Sequence, residues 1–446
     1  MLTLYETQLR HAIYYQQILE RIAESYLKGG VAAKGALTTL EAEQGNIETG
    51  RRWASVEAAG DEAAFLRDGY AASVPLVQEW SIHPKELARL AKEGLFAARQ
   101  LGDRESEGRH LSNLGHACDS MGQARRALTC HKLALSISRE FGNRQTEAED
   151  LFGMGMALLD LGGAREAVGL LEESLKILRE VGDRFIEASA LSNLGIAYDS
   201  LGDVHLALRY YQQALTIARE FEDRRGEAQI LNQLGSAYET LGEPERAVEL
   251  HKDALMIFRS FGDKQSAGEA LSGLGNAFYD LEKWDKALDC YEQSLTLALE
   301  IGDRAVESGA LGNLGFTYQQ LGDLPKAIQF QEQSLAIARL LSDPQSEARC
   351  LGNLGRAHEA AGNTHRAINL QQQALVISKK IGDRIGEATD LCNLASALLT
   401  GGEPHRVVEL CEQSLAIARE VGLKEVEVED LRLLRLARGL RGHLSL

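Results

Sequence analysis

The 446 residues carry 48 Lys+Arg against 65 Asp+Glu, a formal net charge of −17, with 44% hydrophobic residues and only 6 prolines. That length admits two or three ordinary domains or one extended array, and the acidic balance argues against a phosphate-binding face for nucleic acid or an anionic membrane. No stretch approaches the ~18 apolar residues of a membrane span. The six cysteines form no CxxC pair and sit in helical patterns, which points to a reducing cytoplasm and no disulfide framework.

Residues 1–58 read as two long helices, about 3–27 and 34–57, joined at Gly29-Gly30. Glu6, Arg10, Glu20 and Arg21 interrupt any apolar run, so the segment is not a signal peptide. Residues 59–100 read as a degenerate helical hairpin. Gly60-Asp61 opens it, Ser81-Ile82-His83-Pro84 breaks it, and Leu87, Leu90, Leu95 and Ala98 supply a second helix ending at Gly102.

From 101 to 420 the chain repeats every 40 residues, eight times. Gly-Asp recurs at 102–103, 182–183, 262–263, 302–303 and 382–383, and Leu111, Leu151, Leu191, Leu231, Leu271, Leu311, Leu351, Leu391 and Leu431 form one column. The period alone suits a solenoid, a propeller or an array. Inside a repeat the spacing is helical. Asp183 can cap a helix and Glu187 lies in its first turn. Leu191, Leu194, Tyr198 and Leu201 follow at steps of three and four, Gly202-Asp203 breaks the pattern, and Ala207, Leu208, Tyr211, Leu215 and Ile217 make a second stripe. Gly115, Gly155, Gly195, Gly235, Gly275, Gly315 and Gly355 sit mid-helix, each costing about 1 kcal/mol relative to Ala. Close approach of the paired helix, whose facing column is Ala127, Ala167, Ala207, Ala247, Ala287, Ala327 and Ala367, is expected to offset that cost. Residues 421–446 read as a final helix over 424–439 with Leu431, Leu434 and Ala437 inward and Arg432, Arg435 and Arg438 outward, followed by a tail.

Leu111, Leu114-Gly115, Cys118, Gly122, Ala127, His131 and Ala134 match the tetratricopeptide pattern position by position. Tyr198 and Tyr211 fill its aromatic positions, while the proline usual near the end of the second helix is missing. The chain therefore resembles tetratricopeptide repeat proteins of a 40-residue subclass found in LGN-like adaptors and bacterial signalling proteins, rather than the common 34-residue form. The resemblance implies an all-α, right-handed superhelical solenoid. Arg10-His11-Ala12-Ile13-Tyr14-Tyr15, Leu40 to Ile47 and Arg52-Trp53-Ala54 resemble the region preceding tetratricopeptide sensor arrays in STAND-type ATPases, although no GxxxxGK[ST] loop is present.

No catalytic constellation stands out, and no cofactor or metal is expected. His131 and His251 share a column with Tyr211 and Tyr291, which favours packing over metal ligation; His110 and His116, six apart, do not share a face. Gly153-Met154-Gly155 lacks the strand and third glycine of a dinucleotide fingerprint.

In the family the first helix of each repeat lines the inner surface, so the resemblance implies a groove for a protein or peptide partner. The inward column reads Asn113, Gly153, Asn193, Gln233, Gly273, Asn313, Asn353 and Asn393. Its asparagines either hydrogen-bond the backbone of an extended peptide or bond a neighbouring repeat. Two spots break the regularity. Phe152, Met156 and Leu159, with Ile196 from the next repeat, form either an apolar anchor pocket or a face buried under a neighbouring helix. Arg349, Asn353 and Arg356, flanked by Asn313, Phe316 and Asn393, form either a clamp for a carboxylate or an internal ion pair with Glu359 or Glu387. Asp119, Asp160, Asp199, Glu239 and Asp280 suit basic or mixed ligands elsewhere along the groove. Function is then partner-protein recognition as an adaptor, or a sensor arm controlling an ATPase or other effector on a separate chain.

Overall fold

A computed structural model of the chain describes residues 3–27, 30–56, 60–73 and 83–444, so Gly29, Ser81 and Ile82 lie outside the described residues. The chain divides into two compact units, Met1–Asp223 and Arg224–Leu446. In the first, α1 (Leu4–Leu27), α2 (Gly30–Val56), α3 (Gly60–Ser73) and α4 (Pro84–Leu101) precede the hairpins α5 (Arg104–Asp119) with α6 (Ala124–Phe141), α7 (Arg144–Asp160) with α8 (Ala164–Val181), and α9 (Arg184–Ser200) with α10 (Val204–Glu220). The second holds α11 (Arg224–Thr240) with α12 (Pro244–Ser260), α13 (Lys264–Asp280) with α14 (Trp284–Ile301), α15 (Arg304–Gln320) with α16 (Leu324–Leu341), α17 (Pro344–Ala360) with α18 (Thr364–Ile381), α19 (Arg384–Thr400) with α20 (Pro404–Val421), and a last helix, α21 (Lys424–Leu444). Each hairpin packs on the next within its unit. The fold is all-α, and no helix among the described residues is long and apolar enough to cross a membrane.

Side chains at the repeat boundaries start and stop these helices. Asp183 accepts a hydrogen bond from the Ile186 amide, and Asp103, Asn143, Asp263, Asp303, Asp343 and Asp383 cap their helices in the same way. Gly182 ends α8 in the left-handed region at φ 80°, where a side chain would be strained. The helix α2 begins at Gly30 rather than near 34, because a glycine weakens helix without forbidding it. Leu201 does not join the α9 stripe: it caps the helix and is exposed. The leucine column is buried from Leu111 to Leu391, but Leu431 is exposed and Asp430, Leu433, Leu434 and Ala437 take the inner face of α21.

First-turn glutamates do more than face a helix dipole. Glu187 is buried, and its two oxygens meet Arg179 Nε at 2.8 Å and Arg184 Nη1 at 2.8 Å. Arg179 comes from the preceding hairpin, so the carboxylate fastens successive hairpins together. Glu107 and Glu147 are clamped likewise. Arginines on both sides outweigh the cost of burial and hold the Glu147 pKa below its usual range.

The mid-helix glycines make room chiefly for one larger side chain on the partner helix; at Gly315 the backbone oxygen of Ala327 also lies within 3.1 Å of a Cβ. A Cβ at Gly115 would come within 2.5 Å of the His131 ring, at Gly155 within 2.7 Å of Leu171, and at Gly235 within 2.6 Å of His251. Ala127 and its equivalents are fully buried, but the bulk lying over each glycine is the residue sixteen positions later.

Within each unit the first helices of successive hairpins contact one another (α5 with α7, α7 with α9, α13 with α15, α17 with α19), while second helices do so at most marginally. The first-helix side of each stack is therefore its inner side.

Candidate functional site on the first-helix faces

On the inner face expected for the first unit, Asn113 and Asp119 of α5, Met156 of α7 and Asn193 and Ile196 of α9 are half-buried, His116 of α5 and Asp160 of α7 are exposed, and Gly153 of α7 is buried. His131 of α6 is fully buried beneath it. Its ring is clasped between two glycines, since a Cβ at Gly153 would also reach within 2.5 Å of it. Nε2 lies 3.2 Å from Asp119 Oδ2, and Nδ1 lies 3.6 Å from Asp150 Oδ1. Ser138 Oγ donates to Asp150 Oδ2 at 3.2 Å. Burial disfavours the charged ring, but the hydrogen bond to Asp119 and the nearby Asp150 carboxylate outweigh it and raise the His131 pKa. His116 keeps an exposed edge, yet packing around its ring, 4.8 Å from that of His131, pushes its pKa down. Burial first, then the charge of Asp119, raises the Asp160 pKa.

The glycine at 153 thus has a local cause, and position 273 repeats it. His251 is also fully buried, with Cβ positions at Gly235 and Gly273 within 2.6 and 2.5 Å of its ring. Its Nδ1 lies 2.7 Å from Asn232 Oδ1 and its Nε2 lies 3.1 Å from Glu239 Oε1.

On the second unit, Asn276, Tyr279, Asn313, Phe316 and Arg356 meet across successive first helices, and Asn353 and Asn393 are half-buried at the equivalent positions of α17 and α19. Tyr291 Oη donates to Asn276 Oδ1 at 2.8 Å, and Asn313 Nδ2 reaches the same oxygen at 3.3 Å. Phe316 packs against Tyr279 with ring centroids 5.1 Å apart, and the Arg356 guanidinium lies over Phe316 at 4.7 Å. Arg356 is half-buried, and its Nε is buried without a hydrogen-bond partner. Burial lowers its pKa, opposed by Tyr279 and Glu359.

Neither expected internal partner takes Arg356. Glu387 pairs with Lys379 and Arg384, while Glu359 accepts from Ser396 Oγ at 2.9 Å and Thr400 Oγ1 at 3.0 Å. Arg349 is exposed, seven residues away on α17. The asparagines of the column are half-buried rather than exposed. Asn193 donates to Ser189 O at 3.0 Å on its own helix, and Asn313 bonds to the neighbouring repeat. Phe152 departs from the expected patch, because it packs on the buried cluster around Leu151 and Leu178; Met156, Leu159 and Ile196 stay half-buried. Sequence reasoning weighed His110 with His116 along one helix and missed His116 with His131 across the hairpin. The signal was present: His116 and Asp119 are three apart, and His131 follows Asp119 by twelve. His110 belongs elsewhere, its Nε2 lying 2.7 Å from Asp68 Oδ1 of α3.

Comparison with known proteins settles the family. The tetratricopeptide repeat model matches residues 107–180, 146–220, 186–260, 226–300 and 306–380, more than half of the chain. The chain belongs to the tetratricopeptide repeat family. No curated protein matches it in sequence. Among solved structures it is similar to a signal transduction ATPase with numerous domains (STAND) protein with a tetratricopeptide repeat sensor from Pyrococcus horikoshii, at 15% identity and a TM-score of 0.59, covering 93% of this chain and 65% of that one. It is also similar to the apo form of the quorum sensor NprR from B. thuringiensis (15% identity, TM-score 0.59, 75% of this chain and 93% of that one). A third is a Rap protein complexed with competence and sporulation factor (13% identity, TM-score 0.52, 76% of this chain and 99% of that one). At these identities the likeness is one of fold.

Proposed function

We propose that this tetratricopeptide repeat protein recognises an extended, acidic segment of a partner protein on the inner face of its second unit. The observation that carries the reading is Arg356. A half-buried guanidinium stacked on an aromatic ring, with no carboxylate paired to it among the described residues, is a ready receptor for one. Asn353 on the same helix and Asn393 on the next offer amides to a peptide backbone, and Arg349 adds charge at the rim. The apolar patch of Met156 and Ile196 on the first unit is read as a second contact region, with the acidic residues around it suiting a basic or mixed segment. The 40-residue subclass is likewise our reading, from the repeat spacing and the missing terminal proline.

A regulatory variant of the same role is supported by the sensor structures above. In it the chain is an arm whose ligand controls an effector on another polypeptide, and the segments around Arg10–Tyr15 and Arg52-Trp53-Ala54 motivate it. A displayed library of unstructured peptides, panned against the full chain, is the test. Acidic sequences are expected to be enriched, and Arg356→Glu to weaken them about 30-fold, equivalent to a loss of about 2 kcal/mol. Enrichment without acidic residues, or equal binding by the variant, contradicts the reading.

A further inference from the structure

We propose that His116, Asp119 and His131 form a binding site for a divalent transition metal of the zinc class. This goes beyond peptide recognition and does not depend on it. His116 and Asp119 lie three apart on α5 and so share a face, and His131 reaches them from α6. Their donor atoms all lie within 4.8 Å of one another. Two imidazoles and one carboxylate form the donor set that suits zinc, whereas calcium and magnesium prefer all-oxygen surroundings.

Preorganisation and unmet bonding point to a ligand. The His131 ring cannot move far, because the backbones at Gly115 and Gly153 close on both sides of it. The Asp119 side chain is only 8% exposed and its Oδ1 is buried with no hydrogen-bond partner. An orphaned carboxylate oxygen at that depth costs free energy that a cation would recover. On the far side of the ring, Asp150 faces Nδ1 at 3.6 Å and is itself held by Ser138. At that distance the two atoms are not hydrogen-bonded and both lack a partner, so a metal on Nε2 would draw them into the carboxylate–histidine contact that aims metal-bound imidazoles. Asp160 couples electrostatically to Asp119 from the next hairpin and adds negative charge.

The second buried histidine serves as an internal control. His251 sits between two glycines in the same way and has Glu239 twelve residues before it, as His131 has Asp119. There Asn232 and Glu239 engage both ring nitrogens, and Ser236 stands where His116 stands. Of these two histidine-bearing repeats, the one with a second imidazole is the one whose acidic residue twelve positions earlier keeps an unmatched buried oxygen. The site has three protein ligands, leaving a fourth position for water or for Asp160.

The test uses the tag-free full chain and cobalt(II), whose visible absorption reports tetrahedral coordination, with zinc as competitor. One cobalt per chain is expected, displaced by zinc, with affinity more than about 100-fold lower in His116→Ala; Asp150→Asn should cost about 10–100-fold. His116 keeps an exposed edge, so its removal should leave the helical circular dichroism spectrum intact. His251→Gln should bind as the native chain does. At about 100 µM zinc the melting temperature should rise for the native chain and not for His116→Ala. No cobalt band and no zinc-dependent shift would overturn the site, as would unchanged affinity in His116→Ala, which would assign the metal to scattered surface histidines.

Discussion

At the scale of single residues, buried polar groups and glycines give the sharpest predictions. Asp390 is buried, accepts from Ser378 Oγ at 2.7 Å, and is pushed by burial to a pKa of about 7. A carboxyl whose pKa is raised by folding binds more protons folded than unfolded between about pH 4 and 7. Its contribution to stability therefore falls as pH rises through that window. Asp390→Asn should raise the melting temperature at pH 8 and leave it nearly unchanged at pH 4, the difference amounting to at most about 4 kcal/mol. Glycines split into two kinds. Gly115→Ala drives a methyl into the His131 ring and should cost about 1–3 kcal/mol in urea unfolding. Gly169, on the exposed side of α8 with nothing within 4 Å of a Cβ, should gain up to about 1 kcal/mol as alanine. The glycine column was legible in the sequence, but its cause was not. Spacing shows which positions are small, and only the packed hairpin shows that a larger side chain sixteen residues later fills the space.

At the scale of helices and their joints, capping and turns were readable because they are local. First helices mostly start at a capping Asp or Asn, the second helices α6, α8, α12, α14, α18 and α20 start without a side-chain cap, and a left-handed Gly follows nearly every helix end. The exceptions are three non-glycine residues in the left-handed region, Glu222, Glu282 and Ser342. Ser342→Gly should relieve that strain and stabilise the chain by up to about 1 kcal/mol, less the added freedom of the unfolded glycine. The ion clamps between hairpins were only half legible. The sequence showed Glu in the first turn, but the arginine eight residues earlier becomes its partner only once two hairpins stack. Glu147, held by Arg139 Nε at 2.9 Å and Arg144 Nη1 at 2.6 Å, provides the test. Glu147→Gln should lower stability by about 1–2 kcal/mol at pH 7. Because folding lowers the Glu147 pKa, the clamp is fully present above the ordinary glutamate range and is lost as pH falls below it. Native and variant chains should therefore converge in acid.

At the scale of the whole molecule, helical hairpins and their family were written in the 40-residue period, which survives any change of surface residue. The candidate recognition face was less legible. The columns could be counted, but the half-burial of the asparagines, the inward lean of Phe152 and the stacking of Arg356 on Phe316 depend on neighbours forty residues away. The central claim is that ligands meet the first-helix side of the second unit. A photo-crosslinking amino acid placed at Asn353 on α17, or at the exposed Gln373 on α18, tests it with an acidic peptide selected on the native chain. The account predicts a covalent adduct from position 353 and none from 373; an adduct from 373 with none from 353 would contradict it.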